Sequence, residues 1–195
     1  MKRKWLQTLL GCSMVTLLMA CNPPEGSHNH PSSVDPAAPS VQQAPDAHGA
    51  HQMSIHSEQD FIVQMIPHHT EAVVTSEWLL KHTQNPQLKA FAQEVIVVQK
   101  AEIQKMKDWH QAWYGAPFVD PGSYKPMMPM NAASPYEGEK SDQAYIKGMI
   151  GHHQGAVDMA NQLKTMTQRP ELLSFARTII DTQSKEIEQL KQWVK

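Results

Sequence analysis

This sequence of 195 residues predicts an all-α fold: a four-helix bundle built from two copies of one helical hairpin. Three observations carry that expectation. The chain repeats itself, because a shift of 84 residues lays Ile62–Trp109 on Ile146–Trp193 without a gap. Each copy holds two stretches whose apolar residues recur at the 3.6-residue helical period. Between the copies, residues 115–140 carry Pro117, Pro121, Gly122, Pro126, Pro129, Pro135 and Gly138. That makes a long crossover between two short-looped hairpins, and a repeat so joined closes as a bundle.

The first twenty residues stand apart from this fold. Lys2, Arg3 and Lys4 precede a nearly uncharged run from Trp5 to Ala20, and Cys21 follows. An apolar stretch this short, with basic residues before it, reads as a signal peptide rather than a membrane span. Leu18-Met19-Ala20-Cys21 resembles the lipobox of bacterial lipoproteins, in which the cysteine is lipidated and becomes the first mature residue. An ordinary cleaved signal followed by a chance cysteine is the competing reading. Asn22 after the cysteine favours, by analogy with that class, the periplasmic face of the outer membrane. With Cys12 removed and Cys21 lipidated, no thiol remains to form a disulfide. Loss of the basic leader leaves 14 basic residues against 19 acidic ones, a net charge of −5. Nucleic acid, which calls for a basic face, is an unsuitable partner.

Residues 21–56 are rich in Pro, Ala, Ser, Gln and His and poor in large apolar side chains. Such a segment cannot offset its ordering entropy by burial, so it reads as a flexible tether. Its His28, His30, His48, His51, Met53 and His56 suit either loose metal capture or plain solubility, and both readings stand.

Residues 57–195 are the bundle, with repeat one at 57–114 and repeat two at 141–195. Ser57 and Asp60 have capping-box spacing at the start of the first helix, and Ser141 or Asp142 can cap its counterpart. Pro86 and Pro170 suit the first position of each second helix, where a missing N–H costs nothing. Gly115 with Pro117 beyond it is a stop signal. Pro67 and Gly151 fall at the same place before each His pair. Both are poor in a helix interior, so each marks a helix start or a kink.

Polar residues interrupt the stripes at matching registers. The first helices give Ile62, Met65, His69, Ala72, Ser76 and Leu79, and then Ile146, Met149, His153, Ala156, Ala160 and Leu163. The second helices give Leu88, Ala92, Val95, Gln99, Glu102, Met106, Trp109 and Trp113, and then Leu172, Ala176, Ile179, Gln183, Glu186, Leu190 and Trp193. A buried carboxylate costs several kcal/mol, on the order of a lost ion pair, unless it is paired or bound. Met65 lies three and four residues before His68 and His69, as Met149 does before His152 and His153, so each trio shares a helix face. Glu102 and Glu186, with Gln99 and Gln183, are placed to accept from the other ring nitrogen and orient the imidazoles. A His–Glu pair that only ties helices together is the bland reading. The recurrence of His-His with Met favours metal.

Softness selects the ion. Thioethers select Cu(I), and imidazole suits several transition metals, copper among them. Met65, Met149 and Met159 lie by the His pairs, and Met127, Met128 and Met130 crowd a Pro-rich crossover that offers no core to fill.

Phe61-x3-Met65-Ile66-Pro67-His68-His69-x2-Ala72-Val73, the matching run from Tyr145 to Ala160, and the two Gln-x2-Glu-Ile segments resemble the DUF-305 or CopM-like family. The resemblance covers about Phe61 to Val194. It implies a ferritin-like four-helix bundle of the bacterial envelope, with copper-binding members linked to copper resistance. Repeat one departs from the family pattern: Thr70-Glu71 replace Gln-Gly, and Thr75 stands where Met159 does, which implies a weaker or differently liganded first site. The expected role is envelope copper sequestration or trafficking, with any protein donor or acceptor unspecified. A ferritin-like di-metal oxidase is the rival. It needs Glu-x-x-His pairs that neither repeat holds, so an enzyme is not expected. A structural or chaperone lipoprotein with incidental histidines is the third reading.

Overall fold

The computed structural model describes residues 53–128 and 138–195. Within them the chain forms α1 (Glu58–His82), α2 (Pro86–Tyr114), α3 (Gly138–Met166) and α4 (Pro170–Lys191). The leader, Cys21, His28, His30, His48, His51 and Met130 lie outside the described residues. No helix among the described residues is long and apolar enough to cross a membrane.

Local chemistry sets most helix ends. Ser57 Oγ accepts from the Asp60 N–H at 3.0 Å, while the Asp60 carboxylate accepts from the His56 N–H at 2.8 Å, one residue earlier than a strict capping box. Asn85 caps α2, with Pro86 next to it, and Gly115 ends that helix in the left-handed region at φ 74°. The two hairpin turns are stabilised alike. Thr83 and Thr167, both buried, accept from the N–H groups of Asn85 and Arg169. Two expectations fail here. Ser141 and Asp142 do not cap α3, because that helix begins at Gly138 and passes through them. Pro67 does not start a helix, since α1 begins nine residues earlier at Glu58 and runs through it. Pro67 therefore leaves the Val63 carbonyl without its usual amide partner.

Packing orders the bundle into three layers. One apolar cluster joins the start of α1 (Phe61, Ile62, Met65, Ile66), the end of α2 (Met106), the end of α3 (Ala156–Leu163) and the start of α4 (Leu172–Ile179). A second joins the opposite ends: Ala72 and Leu79 of α1, Leu88–Val95 of α2, Tyr145–Met149 of α3 and Leu190 of α4. Helices within each hairpin are thus antiparallel, as are α1 and α3, which pack face to face. Each fully buried Leu, Ile or Met contributes about 1.5–3 kcal/mol. Crossed aromatic pairs tie the hairpins together. Trp109 meets Phe175 edge-on at 5.2 Å, and its repeat counterpart Trp193 meets Phe91 at 5.9 Å.

The end of the expected tether is docked rather than loose. Ile55 is buried in the first cluster, and Gln162 bonds both the Ile55 N–H and the Met53 carbonyl. Apolar burial plus two satisfied backbone groups outweighs the ordering entropy of those few residues.

Candidate metal centre

Between the apolar clusters lies a layer of four imidazoles. His68, His69, His152 and His153 are each at most 1 % exposed. Adjacent helical residues project about 100° apart, so one ring of each pair reaches the α1–α3 seam while its neighbour reaches toward the second helix. His68 and His152 meet ring to ring at 3.7 Å where α1 crosses α3. His69 and His153 turn outward to the second helices. His69 Nε2 donates to Glu102 Oε2 at 2.9 Å, and His153 Nε2 lies 2.9 Å from Glu186 Oε2, though out of line for a good hydrogen bond.

The layer is short of partners. No protein group bonds His68 Nδ1 or Nε2, the Nδ1 atoms of His69, His152 and His153, or His153 Nε2. A buried polar group left unmade costs about 1–3 kcal/mol, so several together are exceptional. Since Glu102 only accepts, a neutral His69 carries its proton on Nε2 and keeps a lone pair on Nδ1. The same holds for His152, whose Nε2 donates to the His68 carbonyl at 3.0 Å. Burial holds the His68 ring well below the usual histidine pKa, and the neighbouring imidazoles add to the effect. Burial also lowers His152, partly offset by Glu71. Both rings are therefore neutral near pH 7, each able to offer a lone pair.

Glu71, which the sequence marks only as a departure of repeat one from the family pattern, lies beside the imidazole layer. Its carboxylate, 8 % exposed, lies 3.4 Å from His152 Nε2 and accepts from Tyr124 Oη at 2.5 Å and the Met128 N–H at 2.7 Å. Burial pushes its pKa up, but these three donors outweigh that and lower it. The signal was present in the repeat: a Glu one turn beyond His68 where the second copy has Gly155. Tyr124 is pushed up by burial and by the Glu71 carboxylate, so its hydroxyl stays a donor.

The thioethers divide. Met65 and Met159 lie in the first apolar cluster and Met149 in the second, on opposite sides of the imidazole layer. Met128 corrects the expectation that the crossover methionines have no core to fill. It is 5 % exposed, belongs to the second cluster and accepts from Thr75 Oγ1 at 3.5 Å. The smaller Thr75, standing where repeat two has Met159, makes room for it. Met127 is partly buried over Gly155, and Met53 packs at the edge of the first cluster. His56 is exposed at the start of α1. Gln99 and Gln183 are buried with their Oε1 atoms unpartnered, and they line a void of about 10 Å³ between α2 and α4 together with Glu102 and Glu186. Among the described residues, no three His, Cys, Asp or Glu side chains are gathered as a metal cluster. The unpartnered nitrogens and the thioethers of the flanking clusters are nevertheless donor types that fit a soft or borderline ion.

Four antiparallel helices that bury an imidazole layer between two apolar clusters define a duplicated all-α bundle of ligand-binding type. The family model described as "Domain of unknown function (DUF305)" matches residues 58–194, and the chain belongs to that family. The protein CopM, solved in a Cu(I)-bound form, is 40 % identical with a TM-score of 0.65, over 71 % of this chain and 95 % of CopM. Its Cu(II)-bound form matches at 38 % identity and a TM-score of 0.65, over 72 % and 97 %. A silver-soaked form matches at 39 % and 0.61, over 71 % and 95 %. Among curated proteins, an uncharacterized protein of Acanthamoeba polyphaga mimivirus is 35 % identical over 49 residues, 25 % of this chain. The match spans 32 % of that relative's length.

Proposed function

We propose that this chain is an exported, lipid-anchored copper-binding protein that sequesters or traffics the ion for copper tolerance. The observation that carries the reading is the layer of buried, unpartnered imidazole nitrogens at the bundle centre. The Cu(I), Cu(II) and silver forms of CopM support copper as the ion. His68, His69, His152 and His153 would hold it, with Met65, Met149 and Met159 as thioether donors. Glu102 and Glu186 orient two of the rings, as carboxylates do behind metal-bound histidines. The role is binding rather than catalysis: each buried carboxylate already faces one imidazole, which supports a cargo site over a carboxylate-bridged di-metal centre. Export and anchoring rest on the basic leader and Cys21, with the periplasmic face of the outer membrane as the proposed location. A Cys21→Ala variant should leave the membrane fraction.

The deciding experiment is an anaerobic competition titration of the full chain against a Cu(I) chelator, with Zn(II) and Fe(II) in parallel. Tight Cu(I) binding is expected, weakened at least about 100-fold in His152→Ala/His153→Ala, since each lost ligand removes several kcal/mol of coordination. Equal affinity in that variant would move the site out of the bundle.

A further inference from the structure

We propose that, where the crossover meets the bundle, the Met127 thioether joins His68 Nε2 above Gly155 as a donor to a soft cation, Cu(I) or Ag(I). It deepens the copper reading and rests on it.

Gly155 is where the two donors converge. A β-carbon built there would lie 3.4 Å from His68 Nε2, 3.7 Å from Met127 Cε and 3.8 Å from Met127 Sδ. A methyl group there would sit in van der Waals contact with both and occupy the point that nitrogen and sulfur face. His68 is fully buried and Nε2 has no partner, so the nitrogen is aimed into this spot with nothing bonded to it. The pseudo-symmetric position shows what is missing. There His152 Nε2 faces Glu71, the counterpart of Gly155, at 3.4 Å. One stacked ring has a hard carboxylate opposite it, and the other has only a thioether. A thioether accepts hydrogen bonds weakly but ligates a soft cation well.

Met127 is held in place from both sides. Tyr124 and the Met128 N–H both donate to Glu71, so the chain is fastened three residues before the thioether and one after it. The Tyr124 ring also packs edge-on to His68 at 6.0 Å. A cleft of about 290 Å³ lined by Met53, Pro67, Tyr124 and Met127 opens beside the site. Met127 thus links solvent, a second thioether and the buried ring, which gives the ion a route in.

The test is NMR of the full chain carrying ¹³C in its methionine methyl groups, titrated with Ag(I), with anaerobic Cu(I) competition alongside. The Met127 methyl signal, identified by its absence in Met127→Leu, should shift with Ag(I) and stay still with Zn(II). Met127→Leu keeps the volume but not the sulfur. Gly155→Ala places a methyl group at the meeting point while favouring helix. Each should lose Cu(I) stoichiometry or affinity relative to the parent chain, with unchanged helical circular dichroism. A silent Met127 methyl, or full Cu(I) stoichiometry and affinity in Met127→Leu, overturns this site alone. A parent chain that takes up neither Cu(I) nor Ag(I) overturns both this site and the copper reading.

Discussion

The two hairpins share a register of core residues but differ where the crossover touches them. His69–Glu102 and His153–Glu186 sit at the same 2.9 Å, and Trp109–Phe175 mirrors Trp193–Phe91. Against that symmetry stand Glu71 for Gly155, Thr75 for Met159 and Ser76 for Ala160. All three differences lie on α1 and α3 within two turns of the imidazole layer. Two of them are answered by the crossover: Tyr124 and Met128 bind Glu71, and Met128 fills the space beside Thr75. The third is answered across the bundle, where Ser76 bonds Tyr145 Oη at 2.7 Å. The equivalent residues are Phe61 and Ala160, both in the apolar cluster, where no such bond is needed. A duplicated frame thus supplies the layer, and a single loop that can dock on only one side makes the halves unequal.

Removing Glu71 should erase most of that inequality. Glu71→Ala strands the Met128 N–H and the Tyr124 hydroxyl at once and removes the carboxylate beside His152, whose Nε2 keeps the His68 carbonyl as its acceptor. We expect a loss of about 2–4 kcal/mol in chemical denaturation, with faster amide exchange at Met128. A loss under about 0.5 kcal/mol would show that the crossover is held by its methionines instead.

The two stacked rings should respond unequally to acid. A histidine with a depressed folded pKa stays neutral while the unfolded chain takes up a proton below its ordinary value of 6.5. The stability of the metal-free protein is therefore full above that pH and falls below it, by at most about 1.4 kcal/mol per pH unit for each ring. His152 is partly compensated by Glu71 and His68 is not, so His68→Gln should flatten the fall more than His152→Gln. Thermal melts between pH 7 and pH 5 would read this, and equal slopes would contradict it. The Glu71 contribution is separate, because its lowered pKa keeps it ionised until the pH drops through a value below 4.5.

The smallest effect tests whether the halves are interchangeable. Tyr145→Phe leaves the Ser76 hydroxyl buried without its partner and should cost about 1 kcal/mol. Adding Ser76→Ala recreates the Phe61–Ala160 pattern and should recover most of that loss in a double-mutant cycle. An additive double variant would mean that the two ends of the bundle are packed differently despite their shared register.

Much of the bundle was legible before any coordinates. An ungapped repeat with helical stripes predicted all four helices, and every α1 and α3 stripe residue from Ile62 to Leu79 and Ile146 to Leu163 is buried. Gln99, Glu102 and Gln183 of the α2 and α4 stripes are also buried, and Glu102 and Glu186 each lie against an imidazole. The exceptions have physical causes. Gly138 lies in a Pro-rich run that reads as loop, yet α3 begins there, and Gln143 in its second turn donates to the Trp193 carbonyl just past α4. Pro67 reads as a breaker, yet buried neighbours on α1 keep the helix continuous through it.

Sequence by itself determined which residues enter the core, since the helical period fixes which side chains share a face and a duplication fixes it twice. It also pointed a histidine pair of each hairpin at the bundle interior, while the meeting of the two pairs in one layer is seen only in the structure. Only the tertiary structure decided which ring meets which partner. Glu71, Tyr124 and Met127 come from two segments more than fifty residues apart, and no local pattern announces that a Pro-rich crossover will fasten to one hairpin. Stacking of His68 on His152, the carboxylate opposite one ring and the thioether opposite the other are consequences of that docking. They depend on distances in space that periodicity along the chain does not encode.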